Sequence, residues 1–384
     1  YWGPAETQEA IKGKRTAYWT SNGASDIAAA YSAALAVNYI NFGNAEDLKY
    51  AKALYDFSVK YNKSENETTS PYYNSYDYYD DQAWAAGWLY LATGDSSYKT
   101  FLDTFMNVSG QGMSGQSGCQ WGVYSPMNWN NVSMGAAILQ AEITKSASDW
   151  AKVTTYLDSK ATSESQYYCE DSWGSARHNV AVQMTALITS KYKKESGKDY
   201  SSWAKAQMGM ILGDNSTGKN LIVGFNGNSP KYPHHRSASG HAYDPTDEGT
   251  PVWDTTNGHV LVGALVGGPT GTDFSTYNDS ITDAVSNEVA LDYNAGLVGA
   301  AAGLYTTYKT GSLESSIPGV GATPTTTAAT TTTTGKTTTT AAVTTTKAAE
   351  TTKASTTVAQ GDGCYTKKVN QDVVYKELPA ADKM

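Results

Sequence analysis

Beginning at Asp26 the apolar positions recur with helical spacing. Ile27, Ala30, Tyr31, Ala34, Leu35, Asn38 and Tyr39 keep the i, i+3, i+4, i+7 pattern, and Asp26 stands where it can cap the run. A second run, Leu48, Ala51, Leu54, Tyr55, Ser58 and Val59, follows the same rule. The spacing predicts further helices over 81–92, 97–106, 132–144, 148–160, 176–194, 199–212 and 284–308. Strand-like alternation is scarce. Helices of this length, joined by loops and rich in Ala and Gly where they would meet, predict an all-α fold of stacked antiparallel pairs.

Two stretches break the pattern. Residues 213–283 hold many Gly, Pro, Asn, Asp and aromatic residues and almost no helical periodicity. So long an irregular segment inside a helical domain points to function. From 322 to 357 the chain is nearly all Thr, Ala and Lys, as in Thr330-Thr331-Thr332-Thr333-Thr334. That composition buries too little apolar surface to offset chain entropy, so a disordered tether, of a kind that carries O-linked sugars, is expected. The expected domains are therefore 1–310 as the main body, 311–360 as a linker, and 361–384 as the start of a further module or a tail.

Composition narrows the partners. The 384 residues carry 28 Tyr and 10 Trp against 6 Phe, and the net charge is −9. Rings with one apolar face and one hydrogen-bonding edge suit sugar stacking, and a wet surface equally. The acidic balance argues against nucleic acid or an anionic membrane, and no apolar run reaches the roughly 20 residues of a membrane helix. Cys119, Cys169 and Cys364 have no metal-ligand or redox spacing; a Cys119–Cys169 disulfide and small buried thiols are both open readings. No metal or cofactor is implied. Asn-x-Ser/Thr sequons at Asn62, Asn66, Asn107, Asn131, Asn215 and Asn278 agree with secretion.

Three groups of residues could carry chemistry. Glu288, in Asn287-Glu288-Val289-Ala290, is a carboxylic acid at the start of an apolar, small-residue helix. Desolvation there favours the protonated form that a general acid needs, while a helix N-terminus pulls the other way. Pro233-His234-His235-Arg236 places two imidazoles and a guanidinium in one loop, suited to gripping hydroxyls or orienting a carboxylate. Aromatic and polar side chains alternate at Trp129-Asn130, at Trp173-Gly174-Ser175-Ala176-Arg177 and at Tyr72-Tyr73-Asn74-Ser75-Tyr76.

Taken in order, these motifs resemble family 9 glycoside hydrolases over roughly residues 1–308. Trp2-Gly3-Pro4-Ala5-Glu6 and Gly23-Ala24-Ser25-Asp26 resemble the opening elements of that family. The stretch from Asp80-Asp81-Gln82-Ala83-Trp84 to Thr93-Gly94-Asp95 is similar to its Asp-Glu-Leu-x-Trp element. Leu212-Gly213-Asp214-Asn215, Val223-Gly224-Phe225 and Pro233-His234-His235-Arg236 follow its histidine signature, and Asn287-Glu288-Val289-Ala290 with Asp292-Tyr293-Asn294-Ala295 follows its acidic one.

The resemblance implies an (α/α)6 barrel, incomplete at its N-terminus, that cleaves internal β-1,4 bonds of cellulose with inversion. It implies Glu288 as proton donor, His234 and Arg236 as sugar-holding residues, and Asp279 as the signature's other acidic position. Trp129, Trp173, Arg177 and Tyr293 are the implied cleft contacts. The base is implied to lie in an Asp-Ala-Gly-Asp element upstream of Trp2, which this sequence does not contain. Asn226 stands where the histidine signature has Gly, Ala284 where the acidic one has an aromatic residue, and Ile281 where Arg is common. The expected partner is β-1,4-glucan and the expected location extracellular, with cell-wall or cellulosome attachment through the region after the linker. A glucan-binding or structural component without catalysis is the competing reading.

Overall fold

A computed structural model describes residues 23–64, 75, 77–107, 125–235, 238 and 259–310. They belong to one of the two compact units of the chain. The expectations for the 311–360 linker and for 361–384 lie outside the described residues, as do Arg236, Cys119, Trp2 and most of residues 72–76.

The described chain is helical: α1 Ser25–Phe42, α2 Ala45–Tyr61, α3 Tyr79–Thr93, α4 Ser96–Asn107, α5 Ser133–Thr144, α6 Ala147–Lys160, α7 Ser175–Lys191, α8 Ser201–Ile211 and α9 Leu291–Tyr308. One-turn helices at Lys193–Ser196 and Ala284–Asn287 interrupt the connections. No strand occurs among the described residues, only isolated bridges. Residues 213–283 are irregular where described, apart from short 3-10 turns such as Phe274–Thr276.

Three helix pairs, α1 with α2, α3 with α4 and α5 with α6, close through two-residue links. Gly43 closes α1 and Asn44 opens α2 by accepting from the Glu46 backbone N–H. Lys145 and Ser146 join α5 to α6 in the same manner. Such short links force antiparallel neighbours. The odd-numbered helices also pack on one another, α1 on α3, α3 on α5, and α7 on α9.

Burial separates the two sets. In α5 every residue from 133 to 141 is buried, and α3 and α7 are buried nearly all round. The even helices are one-sided: α4 buries only Leu102, Phe105 and Met106. Those three contribute roughly 1.5–3 kcal/mol each. Ordering a backbone costs about 1–2 kcal/mol per residue, so the 12 residues of α4 hold only against α3 and α5. This is an inner row with an outer row laid over it.

Two expectations need correction. The apolar side read from Ile27, Tyr31 and Ala34 is the exposed side of α1. The buried side is Ala28, Ala29, Ser32, Ala33 and Ala36, small residues that let α2 and α3 approach closely. Large residues gave the period but not the face. Asp26 is not the cap either: the cap position is Ala24, in left-handed conformation with no side-chain bond, and Ser25 instead donates to the Ser58 carbonyl at 2.8 Å.

The contact of α7 with α9 holds the last helix in place, and small residues set its distance. A Cβ on Gly296 would lie 2.8 Å from Val180 Cγ2 and 2.9 Å from the Ala181 backbone nitrogen. On Gly299 it would meet chiefly the flexible end of Met184. Gly296→Ala is expected to lower stability despite the ~1 kcal/mol helix gain, because overpacking against backbone costs about 1–3 kcal/mol. Gly299→Ala should be near neutral. Equal urea midpoints for the two variants would refute this account of the packing.

Candidate active site

The site forms where the N-terminus of α7, the 231–235 loop and the start of α9 meet. The sequence read 284–308 as one helix, but the structure breaks it. Asp283 caps the turn Ala284–Asn287 by accepting from the Val285 and Ser286 N–H groups, and Glu288 then turns extended, with φ −61° and ψ 148°. α9 restarts at Leu291. Glu288 thus lies in a break between two helices and pairs its backbone with His234, whose N–H donates to the Asn287 carbonyl at 2.7 Å.

The Glu288 carboxylate is half-buried. Its Oε2 accepts two bonds, from Trp173 Nε1 at 3.2 Å and from the Tyr293 hydroxyl at 3.2 Å. Above the Tyr293 ring lies the Arg177 guanidinium, 5.2 Å from the centroid. Arg177 also pairs with Asp292 at 3.6 Å, longer than a hydrogen bond. Burial lifts the Asp292 pKa, with Arg177 opposing it and Glu288 adding to it. Burial likewise raises the Tyr293 phenol, keeping it a donor.

α7 is seated by its own first turn. Gly174 N–H donates to Val285 O, Ala176 N–H to Gly267 O, and Ser175 Oγ to Pro269 O at 2.6 Å. Upstream, Gln207 accepts from the Tyr168 N–H and from Asn179, tying the 161–174 segment that carries Trp173 to α7 and α8.

The two histidines of the loop are held differently. His234 Nδ1 lies 2.6 Å from the Ile281 carbonyl, which can only accept, so that nitrogen carries the proton. His235 Nδ1 accepts from the Ala238 N–H at 3.2 Å, and burial lowers its pKa.

Asp279 accepts from the Lys231 and Tyr232 N–H groups at 2.8 and 3.0 Å and from Asn287 Nδ2 at 3.1 Å. Both its oxygens hold the loop in front of His234. Trp129 sits on a separate turn before α5, with 41% of its surface exposed. Asp80 anchors that turn through the Val132 N–H at 2.8 Å, and burial raises the Asp80 pKa to about 6. Cys169 is a half-buried free thiol. Of the residues singled out in the sequence, Glu288, His234, Trp173, Arg177 and Tyr293 come together. Arg236 is outside the described residues.

The sequence model of glycosyl hydrolase family 9 matches residues 1–301. The chain belongs to glycosyl hydrolase family 9. Among relatives, endoglucanase A of Bacillus pumilus is 32% identical, over 78% of this chain and 47% of its own length. Endoglucanase B of Cellulomonas fimi is 32% identical over 80% and 30%. The chain spans less than half the length of these two relatives. The catalytic domain of Clostridium thermocellum CelT superposes with a TM-score of 0.65 at 32% identity, covering 79% of this chain and 65% of that one. Endoglucanase CelQ of the same organism, complexed with cellotetraose, gives 0.69 at 31% identity, covering 82% and 53%. The paired helices of this family 9 chain are those of an (α/α)6 barrel.

The sequence did not single out Gly174 by itself, Asp292 or Asn287 as parts of a site. Gly174 has φ +63°, and a Cβ there would lie 2.5 Å from the Tyr293 hydroxyl. Gly174→Ala is expected to cost about 1–2 kcal/mol of stability from left-handed strain and to push Tyr293 off Glu288, lowering turnover at least tenfold. Gly197→Ala, with φ +69° and nothing within 4 Å, carries the same strain and should keep full turnover. Matched losses in both variants would remove the role given to the Gly174–Tyr293 contact. Asp279→Asn should lower turnover and melting temperature together, since one loop N–H loses its acceptor. Added azide should not restore turnover. Restoration by azide would make Asp279 a base.

Proposed function

We propose that this protein hydrolyses internal β-1,4-glucosidic bonds of cellulose by an inverting mechanism, with Glu288 as proton donor. The observation that carries the reading is the setting of Glu288: a half-buried carboxylate, fixed by Trp173 and Tyr293 through one oxygen, beside His234 on a paired backbone. Among the described residues Oε1 takes no bond from these donors, so it is the oxygen that presents a proton to a glycosidic oxygen. Relatives named endoglucanases, and family structures complexed with cellobiose and cellotetraose, support the same substrate.

Inversion needs a second carboxylate about 6.5–9.5 Å from the acid. Asp279 accepts from the 231–232 backbone, and Asp292 lies 3.6 Å from Arg177. The base is proposed to lie outside the described residues, as the family resemblance implies. His234 and Arg236 hold the sugar at the cleavage point, and the exposed faces of Trp173 and Trp129 give stacking platforms. Secretion, and attachment through the region after the Thr-rich tract, belong to the same proposal. No observation favours a non-catalytic binding role.

Glu288→Gln in the protein carrying this sequence is expected to lower cellotetraose turnover by about 10²–10⁴-fold or more, with its dissociation constant changed little. An aryl glucoside whose leaving group needs no proton should be cleaved nearly as before. Proton NMR of the first-formed product should show the α-anomer. Undiminished turnover by the variant would remove Glu288 as the acid, and a β-anomer would exclude inversion.

A further inference from the structure

The first turn of α7 holds a buried polar group that the site so far leaves without a role. His178 is only 7% exposed. Its Nε2 lies 3.3 Å from Arg177 Nε, and an arginine nitrogen can only donate. Nε2 must then be the unprotonated nitrogen, and the ring proton sits on Nδ1. Among the described residues that nitrogen is buried with no hydrogen-bond partner. A buried donor left without an acceptor is a cost that structures seldom carry without return.

The return lies on Arg177. Its contact with Asp292 is long, and its contact with Tyr293 is a face, which resists sliding weakly. Neither fixes which edge of the guanidinium points where. The bond from Nε does, because Nε is the one nitrogen next to the side-chain stem. Without it the guanidinium can tilt toward a closer pair with Asp292 and lift away from the Tyr293 ring. Tyr293 would then lose the plane that keeps its hydroxyl on Glu288 Oε2. The missing Cβ at Gly174, which would lie 3.3 Å from Arg177 Nε, leaves room for this bond.

We propose that His178 is a positioning residue of the active site: as a neutral Nε2 acceptor it locks Arg177 over Tyr293 and so aims Glu288. Charging the imidazole would put an N–H against the guanidinium. Burial, and then Arg177 itself, oppose that charge and push the His178 pKa down to about 4, while Asp171 and Glu170 pull it the other way. The ring therefore stays an acceptor through mildly acidic pH. The proposal rests on Glu288 being the proton donor, but its structural part can be read without any turnover.

Long-range 1H–15N spectra of the wild-type protein should show His178 as the neutral Nδ1–H tautomer from pH 5 to 8. An Nε2–H tautomer, or a ring charged at pH 6, would overturn the proposal whatever the protein hydrolyses. His178→Phe keeps a flat ring without the acceptor, and His178→Gln keeps an acceptor. In the Phe variant the Trp173 indole N–H resonance should shift, and cellotetraose kcat should fall roughly tenfold, the size of one bond to a charged group, with KM within about twofold. The Gln variant should restore most of both. An unmoved indole resonance in the Phe variant, a loss carried by KM, or equal losses in both variants would refute it.

Discussion

Asn287 is the side chain on which the site's geometry depends. Wholly buried one residue before Glu288, its amide donates to the Tyr232 carbonyl, to Asp279 Oδ1 and to the Ser280 carbonyl, and its oxygen accepts from the Tyr277 hydroxyl at 2.7 Å. Its backbone carbonyl takes the His234 N–H. Three segments, 231–234, 277–283 and the turn and break at 284–290, are thereby pinned at one point. Only a short side chain with donors and an acceptor can do this. An aspartate could not donate to two carbonyls, and an aliphatic residue would leave buried polar groups orphaned, which costs about 1–3 kcal/mol for each.

From that point the backbone can break where chemistry needs it. A continuous helix would put Glu288 on a turn whose N–H and carbonyl are taken within the helix. The interruption at 288–290 frees the Glu288 segment to pair with His234 and brings the carboxylate between Trp173 and Tyr293. The same junction requires close backbone approach on its far side. A Cβ on Gly267 would lie 2.5 Å from the Val285 carbonyl, so a side chain there would push the α7 anchor away from the break. The rigid rows of helices hold the outer ends of these segments, and the loops meet between them.

Much of this was legible in the chain. Among the described residues, helical spacing found eight of the nine long helices to within a few residues and ran the ninth seven residues too early, because an outer helix with one buried stripe writes its period plainly. α1 shows the limit of that signal. Its buried side is Ala and Ser, so the large residues marked the exposed side. The motifs named Glu288, His234, Trp173, Arg177 and Tyr293, which the structure brings together. They could not show that Asp279 faces backbone N–H groups, since an acceptor of main-chain bonds and a base have the same side chain in a sequence. The helix break at Glu288 was also hidden: Val-Ser-Asn-Glu-Val-Ala-Leu carries no Gly or Pro to announce it, and tertiary bonds to Asn287 override the local preference.

The arrangement of charge around Glu288 bears on how its carboxyl group is held. An arginine in direct contact would favour the carboxylate form. Here the cation stands one residue away, engaged by Asp292, by the face of Tyr293 and by His178. Glu288 itself is met by two neutral donors, and both converge on Oε2. An oxygen that accepts two bonds keeps accepting when the proton sits on its neighbour, because the carbonyl oxygen of a carboxylic acid is still an acceptor. Both donors therefore hold the same edge of the carboxyl group, and neither reaches Oε1. The positive charge that steadies the assembly acts through an aromatic ring instead of directly on the Glu288 carboxyl group.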